Sequence, residues 1–175
     1  VNKRHVASKN ETASDLAIKA AERLFAKGEV SRDEIDYVLF CTQSPDYFLP
    51  TSACIIQDKL GLRRNIGALD FNLGCSGYVY GLSLAKGLIS CGVANSVLLL
   101  TGETYNKHLH PKDKGNRTIF GDAASATVIS TNGISEIGDF SLGTDGSGAD
   151  NLIVRSGGMR IPEKRCDLSF DENRN

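Results

Sequence analysis

The stretch Asp70-Phe71-Asn72-Leu73-Gly74-Cys75-Ser76-Gly77-Tyr78 decides how this sequence is read. Before it, residues 66–72 (IGALDFN) suit a strand. After it, residues 78–90 form an apolar, helix-forming run with Gly92 just past its end. The chain therefore turns sharply from strand into helix at Cys75, and Gly74 and Gly77 allow both the tight turn and the close approach of a substrate. A thiol there meets unpaired N–H groups and the positive end of the helix dipole, which favour the thiolate. This is a nucleophile elbow with a thiol in place of a serine hydroxyl. A structural cysteine packed under a strand–helix turn fits the same position, and the sequence leaves both readings open. Ser76 is the poorer nucleophile, because Gly74 to Tyr78 breaks the G-x-S-x-G spacing at its fifth residue.

Outward from the elbow, helical and strand signals alternate. Thr12-Ala13-Ser14-Asp15 reads as a capping box opening a helix, with Leu16, Ala20, Ala21 and Leu24 expected on its inner face and Gly28 closing it. Residues 35–42 (IDYVLFCT) predict a strand, and Pro45 and Pro50 bracket a loop. Thr51 is expected to cap a helix carrying Ile55, Ile56 and Leu60 that stops at Gly61. In the helix over 78–90, Val79, Leu82, Leu84 and Leu88 are expected inside. The continuous apolarity of 96–101 (SVLLLT) predicts a fully buried strand. Residues 123–130 and 134–142 read as neighbouring strands joined in a hairpin at Asn132-Gly133, and 152–154 as a last short strand. Such alternation implies an α/β layer with crossover helices on the sheet faces and chemistry at the carboxyl ends of the strands.

Composition narrows the function classes. The 175 residues carry 20 Lys+Arg against 21 Asp+Glu, a net charge of −1, so the basic surplus of a nucleic-acid binder is missing. The longest strongly apolar run, 97–100, is far short of the ~18–20 residues of a membrane helix. No apolar run backs the charges of Val1-Asn2-Lys3-Arg4-His5, so no secretory signal is expected. A start without Met reads as processing or a fragment. Five cysteines at wide spacing (Cys41, Cys54, Cys75, Cys91, Cys166) suit neither a disulfide framework nor a zinc site, and point to a reducing, cytoplasmic setting. His108 and His110 lack a third ligand at a familiar spacing, so no metal is expected. Residues 106–116 read as a surface loop made basic by Lys107, Lys112 and Lys114, with Arg117 just beyond it. Those charges form either a solvated face or an attraction for a phosphorylated ligand. Gly143-Thr144-Asp145-Gly146-Ser147-Gly148 matches no nucleotide loop and reads as a turn between strands.

With these residues assembled, the chain resembles the beta-ketoacyl-acyl-carrier-protein synthase III family of the thiolase superfamily, in its amino-terminal half. The likeness runs from Arg4-His5-Val6-Ala7 through Pro50-Thr51-Ser52-Ala53-Cys54 and the Gly74-Cys75-Ser76-Gly77 elbow. It continues through Thr118-Ile119-Phe120-Gly121-Asp122-Ala123-Ala124 to Asp145-Gly146-Ser147-Gly148. Plant-type polyketide synthases and HMG-CoA synthases share the cysteine elbow. The resemblance implies a thiolase-like layered α/β fold, with a mixed, mostly parallel sheet between helices over residues 1–160. It implies that the first strand and helix are missing, and that the polar tail 161–175 leads to a missing second half holding the catalytic His and Asn.

The resemblance also implies the chemistry. Cys75 takes an acyl group from a coenzyme A thioester, and malonyl-acyl-carrier protein decarboxylates and attacks it, giving a 3-oxoacyl product at the start of fatty-acid synthesis. The Cys75 N–H supplies part of the oxyanion hole. Leu49 occupies the place of a residue that enters the partner subunit's acyl pocket, and Phe120 lines the cysteine-side cavity. Lys114 falls where the family carries an Arg beside the adenine of coenzyme A, without that residue's planar guanidinium. No cofactor is implied beyond coenzyme A as substrate. A homodimer is implied, with the 96–101 strand pairing with its two-fold mate. The alternatives are a non-catalytic thiolase-like module binding acyl chains or a carrier protein, and a relative that builds polyketides or transfers acyl groups to hydroxyls.

Overall fold

The capping box at Thr12 opens helix α1 (Ala13–Phe25). Thr12 Oγ1 accepts the Asp15 N–H at 3.3 Å, and the Asp15 carboxylate accepts the Thr12 N–H at 3.1 Å. The buried face of α1 is Ala13, Ser14, Ala17, Ala21 and Phe25. Of the expected set only Ala21 is fully buried, because alanines let the helix lie close on the sheet while Leu24 packs along its flank and Leu16 is half-buried.

The computed structural model describes residues 3–162, so the polar tail from 163 onward, with Cys166, lies outside the described residues. After α1 come β1 (Tyr37–Cys41), α2 (Ser52–Lys59), β2 (Gly67–Phe71), α3 (Gly77–Ser90), β3 (Ser96–Glu103), α4 (Lys114–Ile119) and β4 (Ala123–Ser130). The sheet runs β2-β1-β3-β4. Its first three strands are parallel, and β4 returns antiparallel to β3. Alternate residues of the buried strands face opposite layers. Val38, Phe40, Leu98 and Leu100 pack under α1 and α2, whereas Leu39, Val97 and Leu99 pack under α3. The sheet thus lies between helices, and β3 is as buried as its apolar run predicts.

Four expectations fail. Asn132-Gly133 does turn the chain, with Gly133 N–H donating to the Ser130 carbonyl at 3.3 Å, but no strand follows over 134–142. Lys86 Nζ instead takes the Ile137 and Gly138 carbonyls at 2.8 and 2.9 Å, drawing that segment toward α3 rather than along β4. Residues 152–154 form no strand either, and the glycine-rich segment is not a turn between strands. Asp145 accepts the Ser147 N–H at 2.9 Å and opens a short 3-10 helix, Gly146–Asn151. Finally, β3 is bonded to β1 on one side and β4 on the other, so it has no edge to offer a two-fold mate.

The chain divides into two compact units, Val1–Phe140 and Ser141–Asn175. The sheet and the cysteine elbow belong to the first, and the short Gly146–Asn151 helix to the second. Among the described residues no helix is long and apolar enough to cross a membrane.

Candidate active site

Helix α3 meets the sheet through its smallest residues. Gly77, Gly81 and Ala85 recur every four positions and are its buried residues. A Cβ on Gly77 would fall 2.3 Å from Cys41 Sγ, and one on Gly81 would fall 2.6 Å from Leu99 Cδ1, so neither site has room for a side chain. Val79 and Leu84 are consequently 46% and 41% exposed, against the expectation that they point inward, while Leu82 and Leu88 pack at the margin of the core. This close seating brings the start of α3 to the carboxyl edge of the sheet.

Cys75 sits two residues before Gly77, with Ser76 in the N-cap position. Gly77 N–H donates to the Gly74 carbonyl at 2.9 Å and closes the turn. The Cys75 thiol is free and exposed, and its own N–H takes no hydrogen bond among the described residues. The sulfur packed beneath the turn belongs to Cys41, which donates to the Leu73 carbonyl at 3.2 Å. Burial pushes the Cys41 thiol up to about 11. The elbow therefore carries two unlike thiols, one sealed on its sheet side and one open on its outer side.

The register aligns the strand ends at this edge, and the other candidates lie in the segments that follow β1 and β3. Cys41, Phe71 and Thr101 are level across β1, β2 and β3, and Ala123 at the start of β4 pairs with Glu103 at the end of β3. Leu49, in the 42–51 loop after β1, is 83% exposed and precedes Pro50 through a cis peptide. Lys114 is the exposed first residue of α4. Phe120 ends that helix and packs on Tyr105, ring centroids 4.6 Å apart. Among the described hydrogen bonds and ring contacts, none joins Cys75 to Leu49, Lys114 or Phe120.

Carboxylates hold the walls of this edge. Buried Asp122 accepts the Ala7 N–H at 2.8 Å and both the backbone N–H and the side-chain amide of Asn106, at 3.1 and 3.0 Å. Its motif thus ties the amino-terminal segment to the loop after β3. Part of the segment read as a loop is helical, since α4 begins at Lys114. His110 Nδ1 accepts the Lys112 N–H, and the His108 ring meets Tyr105 edge-on. No group of three His, Cys, Asp or Glu side chains among the described residues is placed to hold a metal ion.

Two further carboxylates were invisible to sequence reading. Asp70, from β2, accepts the Ser52 and Ala53 N–H groups at 2.7 Å each and so caps α2, where the Thr51 side chain makes no capping bond. Burial raises the Asp70 pKa against the pull of those donors. Glu103, at the end of β3, accepts the Gln43 N–H at 2.6 Å and the Ser44 hydroxyl, and burial raises its pKa as well. The sequence signal for either is an acidic residue at or next to the end of an apolar strand.

The layered sheet between helices, with Cys75 at its carboxyl edge, superposes on solved structures of the thiolase-like fold. The comparisons narrow that class. The sequence model of the 3-oxoacyl-(acyl-carrier-protein (ACP)) synthase III family matches residues 69–146. A beta-ketoacyl-(acyl-carrier-protein) synthase III from Clostridium perfringens is 39% identical over 165 residues, which are 94% of this chain and 50% of that protein. The corresponding Chlamydia caviae protein is 38% identical over 93% of this chain and 49% of its own length. A solved 3-oxoacyl-(acyl-carrier-protein) synthase III structure superposes with a TM-score of 0.88 at 56% identity, covering 95% of this chain and 50% of that one. Over nearly its whole length the chain is similar to one half of beta-ketoacyl-acyl-carrier-protein synthase III proteins. It spans about half the length of the curated relatives it matches.

Proposed function

We propose that residues 1–160 are the acyl-accepting half of a condensing acyltransferase, with Cys75 as its nucleophile. The Cys75 thiolate attacks the carbonyl carbon of an acyl-CoA, the C–S bond to coenzyme A breaks, and the proton from Cys75 leaves with the coenzyme A thiol. The free Cys75 N–H supports this step, because it is available to the oxyanion as the tetrahedral intermediate forms. Malonyl-acyl-carrier protein then loses carbon dioxide, and its carbanion displaces Cys75 from the acyl carbon to give a 3-oxoacyl-carrier protein. The His and Asn that hold the thioester oxygen during decarboxylation are supplied by the second half of the protein. The observation that carries this reading is an exposed thiol at a strand-to-helix junction on the carboxyl edge of the sheet.

Leu49 and Phe120 line the acyl site, Leu49 from the partner subunit, and Lys114 attracts coenzyme A by charge. A homodimer is part of this reading. With β3 enclosed, any pairing of sheets falls to the outer strands β2 and β4. The setting is cytoplasmic, and no cofactor beyond the coenzyme A substrate takes part. Incubating the protein from its complete gene with acyl-CoA and malonyl-carrier protein tests this. Release of carbon dioxide with formation of a 3-oxoacyl-carrier protein is the expected outcome. Transfer to a hydroxyl acceptor without carbon dioxide, or no turnover at all, refutes it.

A further inference from the structure

Residues 42–44 leave the end of β1, and the Gln43 side chain reaches Gly74 in the cysteine elbow. Three hydrogen bonds fix their path from the neighbouring strand. Glu103 Oε1 accepts the Gln43 N–H at 2.6 Å, Glu103 Oε2 accepts the Ser44 hydroxyl, and Ser44 Oγ accepts the Thr104 N–H at 3.1 Å. One carboxylate thus satisfies two donors of a segment sixty positions away. Gln43 itself is exposed, yet its side chain lies against Gly74: a Cβ added there would fall 2.9 Å from Gln43 Oε1. Gly74 is the residue before Cys75, and its carbonyl closes the turn by accepting the Gly77 N–H. The Gln43 amide therefore occupies the space beside the Gly74 Cα, one residue before the thiol.

We propose that Glu103 is a positioning residue for acyl transfer, holding the Gln43–Ser44 backbone so that the Gln43 amide braces the Gly74–Cys75 turn. The proposal rests on the reading of Cys75 as nucleophile. Its physical basis is that a reacting sulfur gains from being held at its attack geometry, and that displacement by about 1 Å costs on the order of a hundredfold in rate. Neither Glu103 nor Ser44 needs to touch the substrate for this.

The test measures acyl transfer from acetyl-, butyryl- and octanoyl-CoA to Cys75 by intact-protein and peptide mass spectrometry, using protein from the complete gene. Protection of buried Cys41 from iodoacetamide reports on global integrity in the same samples. Glu103→Ala is expected to slow transfer about tenfold while leaving Cys41 protected to within about twofold. Glu103→Gln, which keeps a carbonyl for the Gln43 N–H and an amide that donates to Ser44 Oγ, is expected to recover most of the rate. Gln43→Ala should reproduce the loss, and adding Glu103→Ala to it should cost little more, because both act through one contact. If Glu103→Ala does not fold, Ser44→Ala takes its place with the same expected direction. Wild-type protein that forms the Cys75 thioester, with Glu103→Ala or Ser44→Ala matching its rate, overturns the positioning role alone. Wild-type protein that forms no thioester with any of the three overturns the nucleophile reading beneath it.

Discussion

Exchanging glycine for alanine at two positions of α3 should move stability in opposite directions. In an exposed helix interior, Gly→Ala stabilises by roughly 0.5–1 kcal/mol through lost unfolded-state entropy. Gly87 is such a site, exposed and with nothing within 4 Å of an added Cβ, so Gly87→Ala should raise stability by about that amount. At Gly77 the new methyl would sit 2.3 Å from Cys41 Sγ and 3.3 Å from Leu73 Cβ. Cys41 is buried, short, and tied to the Leu73 carbonyl, so it cannot swing clear without giving up that bond. Overpacking of this kind costs about 1–3 kcal/mol, which outweighs the propensity gain. Gly77→Ala should therefore lose about 2 kcal/mol, and Cys41→Ala, which removes the obstructing sulfur, should recover most of it in the double variant. Denaturant titration of the four proteins measures the coupling. Stabilisation by Gly77→Ala, or additive effects of Gly77→Ala and Cys41→Ala, would refute the close seating of α3 that places Cys75.

Other outcomes follow from single contacts. Asp122→Ala strands the Ala7 and Asn106 donors and should cost roughly 2–4 kcal/mol, read as a clear drop in thermal midpoint. Asp36 accepts the Asn95 and Ser96 N–H groups and pairs with Arg63, and the Asn95 bond leads in holding its pKa below the usual carboxylate range. Because the folded value lies below the unfolded one, this stabilisation is complete above about pH 5 and is lost as pH falls through the folded value. Asp36→Asn should thus be about 1–2 kcal/mol less stable than wild type at pH 7 and converge with it as pH falls through the folded value, by denaturant titration across pH. At pH 8 Cys41 should resist iodoacetamide while Cys75 reacts, since a thiol pushed up to about 11 is only about one part in a thousand ionised there. Equal labelling of both in the native protein, by peptide mapping, would contradict the assignment of buried and open sulfurs.

What could be read from the sequence was what neighbouring residues decide. The Thr12 capping box, the buried apolarity of β3 and the turn at Cys75 each depend on a few adjacent positions, and each is found where expected. The inner face of α3 was misjudged because apolar periodicity ranks residues by size and hydropathy. A helix seated tightly on a sheet selects the smallest residues, Gly77, Gly81 and Ala85. Asn132-Gly133 signalled a turn correctly but could not reveal that Lys86, some fifty residues earlier, captures the carbonyls a partner strand would need. The cap of α2 comes from Asp70 and the tether of Gln43 from Glu103, contacts that exist only once the strands are aligned. The expected pairing of β3 with a two-fold mate failed for the same reason, because the position of a strand within its sheet is set by the topology as a whole.

The most direct test of the account is the site of covalent attachment after protein from the complete gene meets a labelled short-chain acyl-CoA. A single hydroxylamine-labile acyl group mapped to the peptide containing Cys75, and lost in Cys75→Ala, is the predicted result. Acyl label on Cys54 or Cys91 instead, or labelling that persists in Cys75→Ala, would contradict it.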